Sequence, residues 1–249
     1  MPFFMYVFLC MNAPIIWAEK SDVQIPQQEW SFQKPTGTFN RKSLQRGLQV
    51  YKQVCAACHG LKFVAFRTLS DLGYNEDEIK AFASSFMVAD GPDQDGKMFE
   101  RPGLPKDTFP NPYPNINAAK ASNGGAEPPD LSLITKAKER GVDYIYAILT
   151  GYTAAPKGFE ISSSLHYNQY FPGHKIAMPQ PLSKDLVTYT DGTNATIEQM
   201  AHDVVTFLAW ASEPELEQRK ATGVKFLIYA SIMSLLFYCS MRRIWKNVK

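Results

Sequence analysis

Cysteine and histidine are scarce in this sequence, with four of each in 249 residues. Two of the cysteines, Cys10 and Cys239, stand in apolar stretches near the chain ends. The body between them holds only Cys55 and Cys58, which excludes a disulfide framework and leaves too few thiolates for a closed four-cysteine zinc site. Net charge is also small, at +2. With no long basic run in the body, a nucleic-acid partner has no support. There is no internal repeat, and no stretch shows convincing strand alternation, so the main body reads as all-α with long loops.

The scarce residues are grouped. Cys55-Ala56-Ala57-Cys58-His59 has the spacing of a c-type haem attachment motif. Two thiols three positions apart can form thioether links to one porphyrin, and the adjoining imidazole can ligate its iron. A Cys-x-x-Cys redox dithiol and half of a zinc site are the rival readings. The dithiol does not need His59, and the zinc site needs further ligands.

A haem iron bound by His59 takes a second protein ligand or keeps an open site. Met200 and His202 lie on a strongly amphipathic helix, where packing accounts for them. Met87 ends an apolar helix and reads as core, while Met98 sits in a long loop soon after the motif. Met178 lies in Ile176-Ala177-Met178-Pro179-Gln180-Pro181, a loop stiffened by prolines. Its thioether is the favoured sixth ligand, with His174 from the same loop as the rival. Methionine opposite histidine raises the potential and closes the site to O₂, which favours electron transfer.

The helices are marked by caps and period. Asn40 precedes a helix toward Cys55 with Leu44, Leu48, Tyr51 and Val54 on one face, and Gly47 beside that face admits a close neighbour. Glu76-Asp77-Glu78 opens a second helix. Asn117–Asn123 is a short one, Pro128-Pro129-Asp130 is read as the cap of another, and residues 142–149 form a further apolar helix. Thr196 caps the last helix of the body, carrying Ile197, Ala201, Val204, Val205, Leu208 and Ala209 inward. Residues 21–39 read as an extended arm over the domain. Residues 91–114 form a long loop whose aromatics, Phe99, Phe109 and Tyr113, pack on the core.

Both ends are apolar. Residues 1–18 resemble a secretory signal cleaved after Ala18, although the usual basic start is missing. Residues 19–220 form the main body. The stretch 221–241 is apolar enough to cross a bilayer: residues 223–241, at ~1.5 Å rise each, span about 28 Å. The tail 242–249 is basic through Arg242, Arg243, Lys246 and Lys249, which places it in the cytoplasm and the body in the periplasm.

Several segments taken in order resemble the cytochrome c1 family, the haem subunit of the cytochrome bc1 (ubiquinol:cytochrome c oxidoreductase) complex. They are Tyr51 to Arg67, Met98-Phe99-Glu100-Arg101-Pro102-Gly103, Pro112-Tyr113-Pro114-Asn115, Pro128-Pro129-Asp130-Leu131-Ser132, Asp143 to Tyr152, and Tyr170-Phe171-Pro172-Gly173 through Met178-Pro179. The resemblance implies a class I cytochrome c-like haem domain in which the helix at Asn40 crosses the helix at Thr196. It also implies one covalent haem c on Cys55 and Cys58, with axial ligands His59 and Met178. Cytochrome b, the Rieske iron–sulfur protein and a cytochrome c are its implied partners, beside membrane lipid. The implied place is a bacterial inner membrane, or the mitochondrial inner membrane facing the intermembrane space. The family's arginines after Pro-Pro-Asp-Leu-Ser, one near a haem propionate, correspond to Lys136 and Lys138, with Lys138 the candidate partner. A lysine cannot form the guanidinium's bidentate fork. Two readings outside the complex remain open here, a tethered cytochrome c serving an oxidase and a peroxidase with an open haem site.

Overall fold

The computed structural model describes residues 23–246, so the signal segment 1–18, Cys10 and the last three residues lie outside the described residues. Helix α1 spans Arg41–Gln53. Asn40 starts it, its side chain accepting the backbone N–H groups of Lys42 and Ser43. Leu44, Leu48 and Tyr51 are buried along one face. Helix α2, Glu76–Ser84, opens with a capping box in which Asn75 and Glu78 satisfy each other's backbone donors.

Beyond α2 the chain departs from the expected loop. Strands β1 (Met87–Asp90) and β2 (Phe99–Pro102) pair antiparallel, Met87 opposite Pro102 and Asp90 opposite Phe99. The hairpin stands off the core, which corrects two expectations. Met87 is 53% exposed and Phe99 45%; the register puts them on opposite faces of a short ribbon, and each face is open to solvent at that end. Phe109 is buried as expected, in an aromatic group with Tyr51, Phe66, Phe82 and Phe86.

Helix α3 (Ile116–Ser122) and helix α4 (Gly141–Thr150) lie where sequence placed helices. The helix expected after Pro128-Pro129-Asp130 is only a 3₁₀ turn, Ile134–Lys136. A two-residue ladder, β3 (His166–Tyr167) with β4 (Lys175–Ile176), follows. Helix α5, Ile197–Ser212, is capped by the Thr196 hydroxyl, which accepts the Gln199 N–H. It is buried almost all round, from Met200 to Trp210, because α1 and α4 both pack on it.

Helices α1 and α5 make the central crossing. A Cβ built on Gly47 would stand 2.1 Å from the Asp203 carbonyl oxygen, so only glycine allows this approach. One residue earlier, Arg46 grips the Asp203 carboxylate with two bonds of 2.7 and 3.0 Å and reaches Asp191 at 2.8 Å. The arm is packed as expected: Trp30, Phe32 and Phe39 are buried, and the Trp30 indole N–H donates to Asp143 at 2.8 Å.

Helix α6, Leu216–Trp245, is the one helix among those described with the length and apolarity to cross a membrane. It starts five residues before the expected boundary at 221 and runs past 241. Its first turns are tied to the body. Glu217 accepts two bonds from Arg41 and one from the Phe39 N–H, while the Lys220 ammonium donates to the carbonyls of Phe32, Lys34 and Gly37. Along the apolar stretch, Phe226, Leu227, Leu235 and Phe237 are all exposed, the surface a lipid-facing helix presents.

Candidate functional site

The end of α1 delivers the cysteines. After Val54 the helix tightens into the 3₁₀ turn Cys55–Ala57, and the N–H groups of Cys58 and His59 both donate to the Cys55 carbonyl, at 3.1 and 2.9 Å. Cys55 and Cys58 form no disulfide. The buried Tyr51 hydroxyl, one turn before, donates to the His59 carbonyl at 3.0 Å. Burial pushes the Cys55 thiol up to about 12, and the neighbouring Cys58 adds to the rise. The Tyr113 hydroxyl lies 3.8 Å from the Cys58 sulfur.

His59 is oriented by a strap that sequence did not reveal. Its Nδ1 lies 2.7 Å from the Pro129 carbonyl oxygen. A carbonyl only accepts, so Nδ1 carries the proton and the Nε2 lone pair remains available to a metal. Burial lowers the imidazole's pKa, outweighing the opposite effects of Pro129 and Asp130, which favours the neutral, ligating form. The strap itself is pinned twice over. The Asp130 carboxylate accepts from the N–H groups of Lys62 and Ser132, and the Leu131 N–H donates to the Gly60 carbonyl at 2.9 Å. Gly60 leaves no room for a side chain, since a Cβ there would meet the Asn111 amide oxygen at 2.2 Å. Asp130 therefore ties the strap to the haem motif and does not cap a helix.

Met178 follows β4 in a fixed loop. It is half-buried and packs against the main core, as does Cys55. The Tyr152 hydroxyl donates to the Met178 carbonyl at 2.9 Å. Asn168, fully buried, holds the loop's base: its amide donates to the Ile148 carbonyl, and its oxygen accepts the Tyr170 N–H. The other candidates have surroundings of their own. Met98 is 67% exposed on the hairpin, Met200 is buried inside α5, and His202 stacks on Trp30 with 4.9 Å between rings. His174 stacks on Tyr167, and its Nδ1 lies 3.4 Å from the Asn168 carbonyl. Lys136 pairs with Glu213, and Lys138 lines a cavity where α6 leaves the body.

These features suit a covalently held haem. The motif supplies two thiols and a neutral imidazole whose outer nitrogen is already bonded, and the second loop supplies a soft sulfur on a rigid backbone. Fold and motif together define a c-type haem protein carried on a membrane-length helix.

The Cytochrome C1 family model matches residues 30–248. Cytochrome c1 of Rhodospirillum rubrum is 45% identical over 248 residues, covering 93% of this chain and 91% of that protein. A mitochondrial cytochrome c1 heme protein of Arabidopsis thaliana is 46% identical, covering 91% of this chain and 74% of the relative. A cytochrome b/c1 of Bradyrhizobium diazoefficiens is 47% identical over 244 residues, covering 89% of this chain and 36% of that longer protein. The chain belongs to the cytochrome c1 family. It is accordingly an electron-transfer haem subunit of the bc1 complex, with covalently attached haem c.

Proposed function

We propose that the chain relays single electrons from the Rieske iron–sulfur protein to a cytochrome c, through a haem bound by Cys55 and Cys58 and ligated by His59 and Met178. The observation that carries this reading is the bond from His59 Nδ1 to Pro129, which presents Nε2 as a neutral ligand. The haem supplies the one-electron couple, and the residues set its surroundings. Cys55 and Cys58 fix the macrocycle by two links, so no ligand exchange can release it. His59 is held in one tautomer by Pro129. The Met178 backbone is held by Tyr152, whose hydroxyl donates to its carbonyl, so the thioether is carried on a fixed stretch of chain. Nothing on this chain has to act as acid, base or nucleophile.

The segment 1–18 is the export signal, residues 19–220 form a periplasmic haem domain, 221–241 cross the inner membrane, and 242–249 remain in the cytoplasm. In a eukaryotic setting the haem domain faces the intermembrane space. Cytochrome b is the neighbour of the anchor. Purification of the tagged chain from its native membrane tests the reading: cytochrome b and the Rieske protein should come with it, and a preparation lacking both overturns it.

Tyr152→Phe should weaken the ligand loop without unseating the haem. One hydrogen bond contributes about 1 kcal/mol, so the methionine–iron absorption band should disappear at a temperature several degrees lower than in the wild type. An unchanged melting profile of that band would show that the Met178 backbone is held by other contacts.

A further inference from the structure

A cavity of about 360 Å³ opens where α6 leaves the body, between the arm, the 3₁₀ turn Ile134–Lys136 and the start of α4. Its lining includes Lys136, Lys138, Arg140, Arg219 and Lys220, against the single carboxylate of Glu213. Glu213 pairs with both Lys136 and Arg219. Arg140 pairs with Asp143, and Lys220 is bonded to three carbonyls of the arm. Lys138 is exposed and has no salt bridge among the described residues. Five cations thus meet two carboxylates, and the surplus positive charge faces a cavity floored by Phe32, Val142 and Leu216.

The height of this cavity identifies what it meets. Lys220 precedes Gly223, the first residue of the apolar stretch, by three positions, or about 4.5 Å of helix rise. If α6 crosses the bilayer, as proposed above, the cations sit at the level of the lipid headgroups. A membrane supplies anionic phosphates there at high local concentration, and basic residues near such a surface attract them. We infer that this cavity is a binding site for the phosphate of one anionic phospholipid, with Lys138 and Arg219 facing it and the apolar floor taking the adjoining glycerol. The inference rests on the membrane reading of α6 and adds a specific headgroup site at the body's base. Such a lipid would set the height and tilt of the haem domain over the membrane.

The test compares the wild-type complex with Lys138→Glu and Lys138→Arg, purified in mild detergent and given mixed phosphatidylglycerol and phosphatidylcholine. Native mass spectrometry counts the lipids retained. Lys138→Glu changes the local charge by two, so its phosphatidylglycerol affinity should fall on the order of tenfold or more. Lys138→Arg should retain the lipid, and phosphatidylcholine should not replace it. The reduction potential is measured beside the lipid count in all three.

Equal phosphatidylglycerol retention by membrane-bound Lys138→Glu overturns the site. So does displacement of the lipid by inorganic phosphate at physiological salt, which would mark a general anion patch. Loss of cytochrome b together with the lipid would make the surface a subunit interface, and a shifted potential would assign Lys138 to the haem. Recovery of the wild-type chain in the soluble fraction overturns the membrane reading and the site with it.

Discussion

Met178→Leu is expected to abolish the weak methionine–iron charge-transfer band and to lower the reduction potential sharply. Axial ligands set haem potentials over a range of about 0.8 V, so the fall should be on the order of 0.1–0.3 V. The sign follows from the ligand. A thioether is a soft, weak donor that favours the reduced iron, and leucine removes it without replacing it by a better one. The side chain change is nearly isosteric, and Met178 is only half-buried, so the fold should survive with little loss. The reduced variant should also bind carbon monoxide readily, which the wild type should not. An unchanged spectrum and potential would transfer the ligand role to His174. That residue is already engaged by the Tyr167 ring and lies 3.4 Å from the Asn168 carbonyl, so such a result would require the loop to rearrange.

Helices α1 and α5 were legible in the sequence because each carries its own instructions. Asn40 and Thr196 are local caps, and the apolar period between them is set by residues a turn apart. Gly47 announced a close neighbour for the same reason: a glycine inside a helix costs stability unless something needs its space. The strap from Pro129 to Ser132 was not legible. Its bonds run to His59, Gly60, Lys62 and Phe63, about seventy positions earlier, and each has a backbone group at one end or both, which leaves no paired pattern of side-chain types. Asp130 even resembles a helix cap, because the same carboxylate geometry serves both uses. The hairpin at 87–102 escaped for a different reason. Four residues a side, five of the eight exposed, are too few to show alternation, and the Pro and Gly around them read as loop. Type and flanking prolines single out Met178 in the sequence, while Tyr152 and Asn168, which hold its loop, carry no such signal.

The largest effect on stability should come from Arg46→Leu. Asp203 is 0% exposed, and its carboxylate is held by both arms of the Arg46 guanidinium and by Gln199. Burial alone would raise the Asp203 pKa, yet its hydrogen bonds, those from Arg46 among them, outweigh that effect and keep it below the usual carboxylate value. A buried ion pair is not itself strong evidence of net stabilisation, but removing one member leaves a charge without compensation, which costs about 3–5 kcal/mol. Denaturant titration of the purified protein at neutral pH should show that loss. The sign of the pH dependence follows from the depressed pKa. In the wild type the Asp203 contribution is present above the unfolded carboxyl value of about 3.9 and disappears as pH falls through the lower folded value. In Arg46→Leu the burial effect gains ground, the folded pKa rises, and acid no longer destabilises through this group. The gap between wild type and variant should therefore be widest near neutral pH and close as pH drops below about 4. Arg46→Leu with Asp203→Leu should recover much of the lost stability, because two apolar side chains carry no stranded charge. A double variant no more stable than Arg46→Leu alone would show that the crossing depends on Arg46 for its shape and its reach to Asp191, and not for neutralising Asp203.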